Sequence, residues 1–221
     1  EIFNDDDLYK KYKEIDISDA DKESIEFHKD LGIDFKNAGH GLSDESRNRL
    51  IEIDKRLIEL GIAFSENIAK DKTELKFSEV ELSGLSKNEL NNLKKDEEKF
   101  IITMAYPDVN AISENCNVRN TREMVWKAFN NRAVEDNIPI LKEAVLLRNE
   151  KSKLFGFETW AEYRLQNRMA KNPKNVDAMY KDLIPKLQKA AEKEKKDLVI
   201  DDIEINDLSL IHISEPTRQS K

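Results

Sequence analysis

The sequence has 221 residues, of which 37% are charged and 38% hydrophobic, and its formal net charge is −8. This acidic balance offers no broad cationic field to hold a phosphate backbone or an anionic lipid surface, which disfavours nucleic-acid binding. Only six Gly and five Pro are present, so turn-rich β-sandwiches and barrels are excluded and a mainly α fold is expected.

Residues 1–71 are predicted to form a helical N-terminal segment. Ser18 is the predicted cap of an early helix, and Gly39-His40-Gly41 is interpreted as a turn. Ser43 is predicted to cap the next helix, because it precedes the most regular apolar pattern in the chain. That pattern recurs at steps of three and four residues: Leu50, Ile53, Leu57, Leu60, Phe64 and Ile68. The charged face of the same helix is expected to be solvated.

The pattern changes over residues 72–106, which are predicted to be a small α/β insert. Apolar and polar residues alternate around 74–78 and around 100–106, and this period of two predicts a pair of short strands. Ser86 and Glu89 have the spacing of a capping box, so a short helix is expected between the strands. Tyr106-Pro107-Asp108 is expected to close the insert.

Residues 107–207 are predicted to be helical again. The expected helix starts are Asn120, Asn137 just before Pro139, Thr159 in a capping box with Glu162, and Asn172-Pro173. Three aromatic residues lie at helical spacing within the apolar stripes of this part: Trp126, Trp160 and Tyr163. They are predicted to be core or domain-contact residues rather than a platform for stacking bases.

The histidines do not have the spacing of a metal site. His28, His40 and His212 are the three present, and no two are close enough to share a helical turn. A zinc pair of the type H-E-x-x-H needs two imidazoles on one helix face. That motif is absent, as are the nucleophile elbow G-x-S-x-G and the glycine-rich phosphate loops. The residues taken alone therefore assign no reaction.

Other chemistry-bearing side chains are given a structural interpretation. Cys116, the only cysteine, excludes an internal disulfide framework, favours a reducing compartment and is expected to be a buried small hydrophobe. The acidic runs Asp96-Glu97-Glu98 and Asp201-Asp202 are expected to be solvated, with binding of a hard cation as the alternative. Arg122 and Arg132 are expected to form ion pairs on helix surfaces; the alternative is that both face a groove.

Several phrases of the chain share their order and spacing with a known family. They are Ile62-Ala63-Phe64-Ser65-Glu66-Asn67, Glu81-Leu82-Ser83-Gly84-Leu85, Tyr106-Pro107, Thr121-Arg122, Ala128-Phe129-Asn130-Asn131-Arg132, Leu154-Phe155-Gly156-Phe157 and Arg168-Met169-Ala170-Lys171-Asn172-Pro173. The chain closely resembles the zinc oligopeptidases related to thimet oligopeptidase, neurolysin, saccharolysin and oligopeptidase A. The resemblance covers roughly Asp6 to Lys196 and is most specific from Tyr106 to Pro173.

This resemblance implies a multi-helix scaffold in which two domains flank a deep channel that admits only short peptides. It implies a zinc metalloendopeptidase with one zinc ion, held in the C-terminal half of the family by H-E-x-x-H and a downstream Glu, where a metal-bound water attacks the peptide carbonyl. Residues 107–207 would enter that catalytic domain. The implied partners are short peptides, without nucleic acid or membrane; the full-length protein would be a monomer in the cytoplasm, with the mitochondrion as the alternative.

None of the family's catalytic residues has a counterpart in this sequence. No catalytic, cofactor-binding or metal residue is therefore assigned to the chain. Because the chain also does not begin with Met, it is expected to be an N-terminal to middle fragment that lacks the catalytic half and is inactive alone.

The last residues, 208–221, depart from the family pattern. The stretch from Leu208 to Arg218 resembles the translation of a transposon adapter used in sequencing libraries. We therefore expect an artificial tail that is not part of the natural fold, in which His212 has no biological meaning.

A different class of function stays open at this point. A noncatalytic helical protein-interaction module would keep the same scaffold without the metal half. A natural stop codon near Lys221 would favour this alternative.

Overall fold

The computed structural model describes residues 2–198, and over that range it is mainly helical, as predicted. It contains a short 3-10 helix at Ile2–Asn4, nine α-helices and three β-strands. The elements are α1 (Asp6–Glu14), α2 (Lys22–Asn37), α3 (Asp44–Lys70), β1 (Glu74–Phe77), α4 (Lys87–Asn92), β2 (Lys94–Asp96), β3 (Lys99–Thr103), α5 (Tyr106–Asn115), α6 (Arg119–Asn130), α7 (Val134–Leu154), α8 (Trp160–Leu165) and α9 (Pro173–Leu198).

The described chain divides into two compact units. Unit 1 consists of the residues up to Phe64 together with Ile138–Leu183. Unit 2 consists of Ser65–Asn137 together with the described residues from Ile184 on. Each unit therefore joins stretches that are distant in sequence.

In unit 1, helix α3 buries the stripe predicted from its apolar spacing. Leu50, Ile53 and Leu60 are buried, and the backbone N–H of Ser46 donates to Ser43 Oγ, which confirms the cap. The solvent-facing side of α3 is tied to α7 by two arginine–carboxylate forks. Arg49 donates to both carboxylate oxygens of Glu150 at 2.6 and 3.0 Å, and Arg56 donates in the same way to Glu143.

Unit 2 is built around a three-stranded antiparallel sheet with the order β1-β3-β2. Leu75 pairs with Ile102 and Phe77 with Phe100, which confirms the predicted pair of strands. The second strand ends at Thr103, earlier than predicted, and Tyr106 begins α5. The sheet, α5, α6 and the connections after β1 and α5 share one core, made of Phe77, Leu82, Phe100, Ile102, Val109, Ile112, Cys116 and Val125. The third strand, β2, was not predicted, because all three of its residues are charged and exposed.

Two helix starts differ from the prediction. Asp21, not Ser18, caps α2: its carboxylate accepts from the backbone N–H of Ser24 at 2.7 Å. Helix α6 begins at Arg119 with no side-chain cap, and the side chain of Asn120 contacts Met124 instead.

Helix α7 also begins before the residues predicted to start it. It starts at Val134 and includes Pro139, with the Asn137 N–H donating to the carbonyl of Ala133 at 2.9 Å. Pro139 is the sixth residue of α7, so its ring removes one hydrogen bond of the helix, the one to the carbonyl of residue 135.

Three other start signals are confirmed. Ser86 with Glu89 and Thr159 with Glu162 both form reciprocal capping boxes. Asn172 accepts from the Asn175 N–H at 2.9 Å just ahead of α9, which begins at Pro173.

The aromatic residues predicted to be core do not all lie there. Tyr163 is buried and stacks on Phe155 with ring centroids 5.2 Å apart. Trp160 is half-buried against Tyr163. Trp126 is 45% exposed and therefore not a core residue, and its interpretation as a domain-contact residue stays a prediction. Thr121, Arg122 and Val125 of the same helix, α6, are buried, and Trp126, four residues after Arg122, lies at the edge of that buried face.

Candidate functional site

No metal cluster is present in the part of the chain that the structure describes. Within residues 2–198, no group of three or more His, Cys, Asp or Glu side chains converges in a way that could hold a metal ion. The donor set of this range therefore does not fit a zinc site, which takes three or four such ligands. The assignment of no metal or catalytic residue to the whole chain stays a prediction, because Asp201-Asp202 and His212 lie outside the described residues.

The two described histidines belong to one aromatic cluster at the start of unit 1. His40 is buried in the predicted turn, where Gly39 and Gly41 both have positive φ. Its Nε2 is 2.8 Å from the carbonyl oxygen of Phe3, and its ring stacks on Tyr9 with centroids 4.2 Å apart.

His28 stacks in the same way on Tyr12, at 4.3 Å, and Tyr12 donates to the His28 carbonyl. Both histidines therefore hold the N-terminal helices together.

Cys116 is fully buried in the core of unit 2, which confirms its predicted place. Its Sγ is 3.4 Å from the carbonyl oxygen of Glu81. Burial raises the pKa of the Cys116 thiol above its ordinary value, which leaves little thiolate at neutral pH. Because Cys116 is buried and protonated, we interpret it as an unreactive packing residue.

The two arginines singled out from the sequence lie in different surroundings. Arg122 is buried and donates to the carbonyl oxygen of Cys116 at 2.5 Å, so its prediction as a helix-surface ion-pairing residue was wrong. Desolvation lowers the pKa of Arg122. Its neighbour Thr121 donates to the Glu81 carbonyl at 2.8 Å. These bonds fix the loop after β1 against the turn between α5 and α6.

Arg132 lines the wall of a concavity. This agrees with the alternative interpretation from the sequence, in which both arginines would face a groove. Its Nε donates to the Phe129 carbonyl at 2.9 Å and its Nη1 to the Met104 carbonyl at 3.3 Å. Its guanidinium carbon is 3.8 Å from the centre of the Phe129 ring. Arg132 thus faces a groove and Arg122 does not.

We call this hollow in unit 2 the Arg132 concavity. It has a volume of about 440 Å³, and its walls include Ile68, Asp71, Thr73, Met104, Ala105 and Arg132. Asp71 is the member that the sequence analysis missed. Its carboxylate accepts from the backbone N–H groups of Thr73 and Ala133, at 2.9 and 3.0 Å. The only sequence signal was the Asp-x-Thr spacing of a side-chain turn.

The acidic run Asp96-Glu97-Glu98 lies at the tight connection between β2 and β3. Asp96 forms an ion pair with Lys76 across the sheet, and Glu97 has a positive φ of 56°. All three acidic residues are exposed, as the solvated interpretation expects.

Apolar side chains are exposed along whole helix faces. The clearest case is α9, where residues at steps of three and four are all exposed: Met179, Tyr180, Leu183, Ile184 and Leu187. Helix α3 has a second, unpredicted stripe of Ile51, Ile58 and Ile62, each more than half exposed. Contiguous apolar surface of this kind marks places where other protein packs.

The described helices were also compared with the requirements of a bilayer. None of them is both long enough and apolar enough to cross a membrane.

Comparison with known proteins gives one family. Residues 112–206 match the family model "Peptidase family M3". The chain is 35% identical over 175 residues to the thimet-like oligopeptidase of Dictyostelium discoideum, and the matched region covers 78% of this chain and 26% of that protein. It is 32% identical over 177 residues to oligopeptidase A of Salmonella typhimurium, covering 73% and 26%. It is 30% identical over 210 residues to oligopeptidase A of Escherichia coli, covering 85% and 30%. The chain thus spans between a quarter and a third of the length of these relatives.

Proposed function

Because the chain belongs to peptidase family M3, we propose that it is part of a zinc-dependent metalloendopeptidase that hydrolyses short peptides. The observation that carries this proposal is the similarity to thimet-like oligopeptidase and oligopeptidase A, which extends over most of the chain. Since the donors of residues 2–198 do not fit zinc, the metal and its ligands are assigned to another part of the protein. The chain itself supplies scaffold and is inactive alone.

The helical segment 107–207 is proposed to lead into the catalytic domain. The family match over residues 112–206 supports this, because it occupies almost the same stretch. Residues 1–71 and the insert 72–106 are proposed to form the preceding wall of a substrate channel. In that arrangement α9 presents its exposed apolar face to the remainder of the protein.

We place the protein in the cytoplasm, with the mitochondrion as the alternative, and as a monomer when full-length. Its single, buried cysteine supports a reducing compartment. Its partners in this proposal are short peptides.

The experiment that tests the proposal starts from the gene. The DNA downstream of the Asp207 codon should encode H-E-x-x-H, and the complete protein should cleave a quenched fluorescent peptide. A chelator should abolish this cleavage and zinc should restore it. The matched control is the complete protein with the motif's Glu replaced by Gln, which should bind zinc without cleaving.

The outcome that contradicts the proposal is equally specific. An open reading frame that ends naturally near Lys221 would remove the metal half and favour the noncatalytic interaction module. The exposed face of α9 is the observation that favours that second candidate. In that case the chain should capture a helical protein partner through α9, and Leu183→Glu should abolish capture.

A further inference from the structure

Arg132 is held in one orientation by three contacts within unit 2. Two of its nitrogens, Nε and Nη1, donate to the backbone carbonyls of Phe129 and Met104. Its guanidinium plane also lies against the ring of Phe129, at 3.8 Å from the ring centre. An arginine fixed in this way loses little side-chain entropy when it binds a ligand.

The third nitrogen of this guanidinium is available. Nη2 has no hydrogen-bond partner among the residues that the structure describes, and Arg132 lines a concavity of about 440 Å³. That volume falls in the range of small-molecule pockets. The nearby carboxylate of Asp71 forms no direct ion pair with this guanidinium among the described residues; it accepts from the N–H groups of Thr73 and Ala133, and Arg132 attracts it at longer range.

We propose that the Arg132 concavity binds the C-terminal carboxylate of a short peptide. The N–H groups of Nη2 would donate to a carboxylate oxygen, and hydrogen bonds between charged groups are stronger than neutral ones. The walls that Ile68, Ala69 and Met104 provide would then pack against the last side chain of the peptide. The peptide identity of the ligand rests on the function proposed above.

The charges of the concavity favour a peptide end over a phosphate. Lys72 and Arg132 contribute two positive charges to its walls, and Asp71 and Glu74 contribute two negative charges. The two carboxylates would repel a multiply charged anion such as phosphate more strongly than a singly charged one. The C-terminus of a peptide carries a single negative charge, and its last side chain can contact the apolar walls. Inorganic phosphate is therefore the competitor that should fail.

The test compares two peptides on the full 221-residue chain. A fluorescent pentapeptide with an apolar last residue is prepared with a free C-terminal carboxylate and with a C-terminal amide, and the Kd of each is measured by anisotropy. We expect the free acid to bind about tenfold more tightly. Phosphate at the same concentration should not displace it. Equal affinities of the acid and the amide, or displacement by phosphate, would overturn the proposal.

Substitutions test whether Arg132 is the residue that causes the free acid to bind more tightly than the amide. R132Q should remove the difference between acid and amide, and R132K should keep part of it. Arg148, which lines a separate groove in unit 1, supplies the matched control, since R148Q should leave the difference unchanged. A difference retained by a folded R132Q would overturn the assignment. If R132Q fails to fold, the Kd values of the acid and the amide peptides on the unaltered chain still test the proposal.

This outcome is separable from that of the proposed peptidase. Carboxylate binding is measured without zinc, and cleavage by the complete protein is measured with an amidated substrate as well. Loss of the acid preference with intact cleavage would reject the subsite alone. Absence of cleavage with an intact preference would reject the peptidase alone.

Discussion

At the scale of single residues, burial decides what the chemistry-bearing side chains of this chain do. Cys116 and Arg122 have reactive groups, but both are enclosed by the core of unit 2 and bond to backbone carbonyls. Arg132 differs by being half-buried with one nitrogen left over. Residue type alone could not separate these cases, because the two arginines are ten positions apart on similar helical patterns.

Tyr163 provides the first prediction, on alkaline stability. Desolvation, with a smaller contribution from Asp54, raises the pKa of Tyr163 to about 12. In the unfolded chain a phenol ionises near pH 10. The folded state therefore holds the proton more tightly, so this stabilisation is complete below about pH 10 and is lost as the pH rises to about 12. Urea unfolding across this range should show the decline, and Tyr163→Phe should remove that component of it. A variant with the unaltered pH dependence would refute the assignment.

Gly84 provides the second prediction, on backbone strain. Its φ is +106°, and an added Cβ would lie 2.2 Å from the carbonyl oxygen of Asn115. Gly84→Ala should therefore lower the free energy of unfolding by about 2–3 kcal/mol. Gly61, inside α3, is the matched control, because an added Cβ there meets nothing within 4 Å. Gly61→Ala should raise the free energy of unfolding by about 0.5–1 kcal/mol. Chemical denaturation measures both, and effects of the same sign would contradict the geometry.

At the scale of elements, both predicted capping boxes were confirmed, whereas single capping residues gave mixed results: Ser43 and Asn172 cap their helices and Ser18 does not. The capping boxes at Ser86 and Thr159 were predicted because two residues at fixed spacing had to agree. Ser18 failed as a single capping residue, since Asp21 lies closer to the apolar residues of α2. Strand β2 could not be predicted from alternating apolar residues, because it contains none and is defined only by its pairing with β3.

The caps give the third prediction. Ser86 Oγ accepts from the Glu89 N–H, and the Glu89 carboxylate accepts from the Ser86 N–H at 2.7 Å. Ser86→Ala and Thr159→Ala should each cost about 1 kcal/mol of stability. Ser18→Ala is the control and should change stability by less than about 0.5 kcal/mol. Urea unfolding distinguishes these values; an equal loss in all three variants would mean that the boxes add nothing.

At the scale of the whole molecule, the described surface exposes apolar stripes along the faces of α3 and α9. The apolar spacing of α3 and α9 was readable in the sequence, but which stripes are covered was not, because coverage depends on distant partners. Only one of the two stripes of α3 is buried in unit 1. The chain spans about a quarter to a third of the length of its relatives, so it contains fewer segments that could cover these stripes.

The exposed face of α9 gives the fourth prediction. The isolated chain should bind an environment-sensitive hydrophobic dye and associate at raised concentration. Replacing Leu183 and Leu187 together by Glu should lower dye fluorescence and association, while the melting temperature stays within a few degrees because both side chains are exposed. Fluorescence titration and light scattering measure this. A monodisperse, low-dye chain before substitution would contradict the expectation.

The two forks between α3 and α7 have a consequence for synthesis. Arg49 and its partner Glu150 are separated by 101 positions in the sequence. At a translation rate of about 5–20 residues per second, α3 waits for about 5–20 s before α7 leaves the ribosome. During that interval the part of α3 that faces α7, including Leu57 and Leu60, stays uncovered. The nascent chain is therefore expected to be a client of ribosome-associated chaperones until α7 arrives.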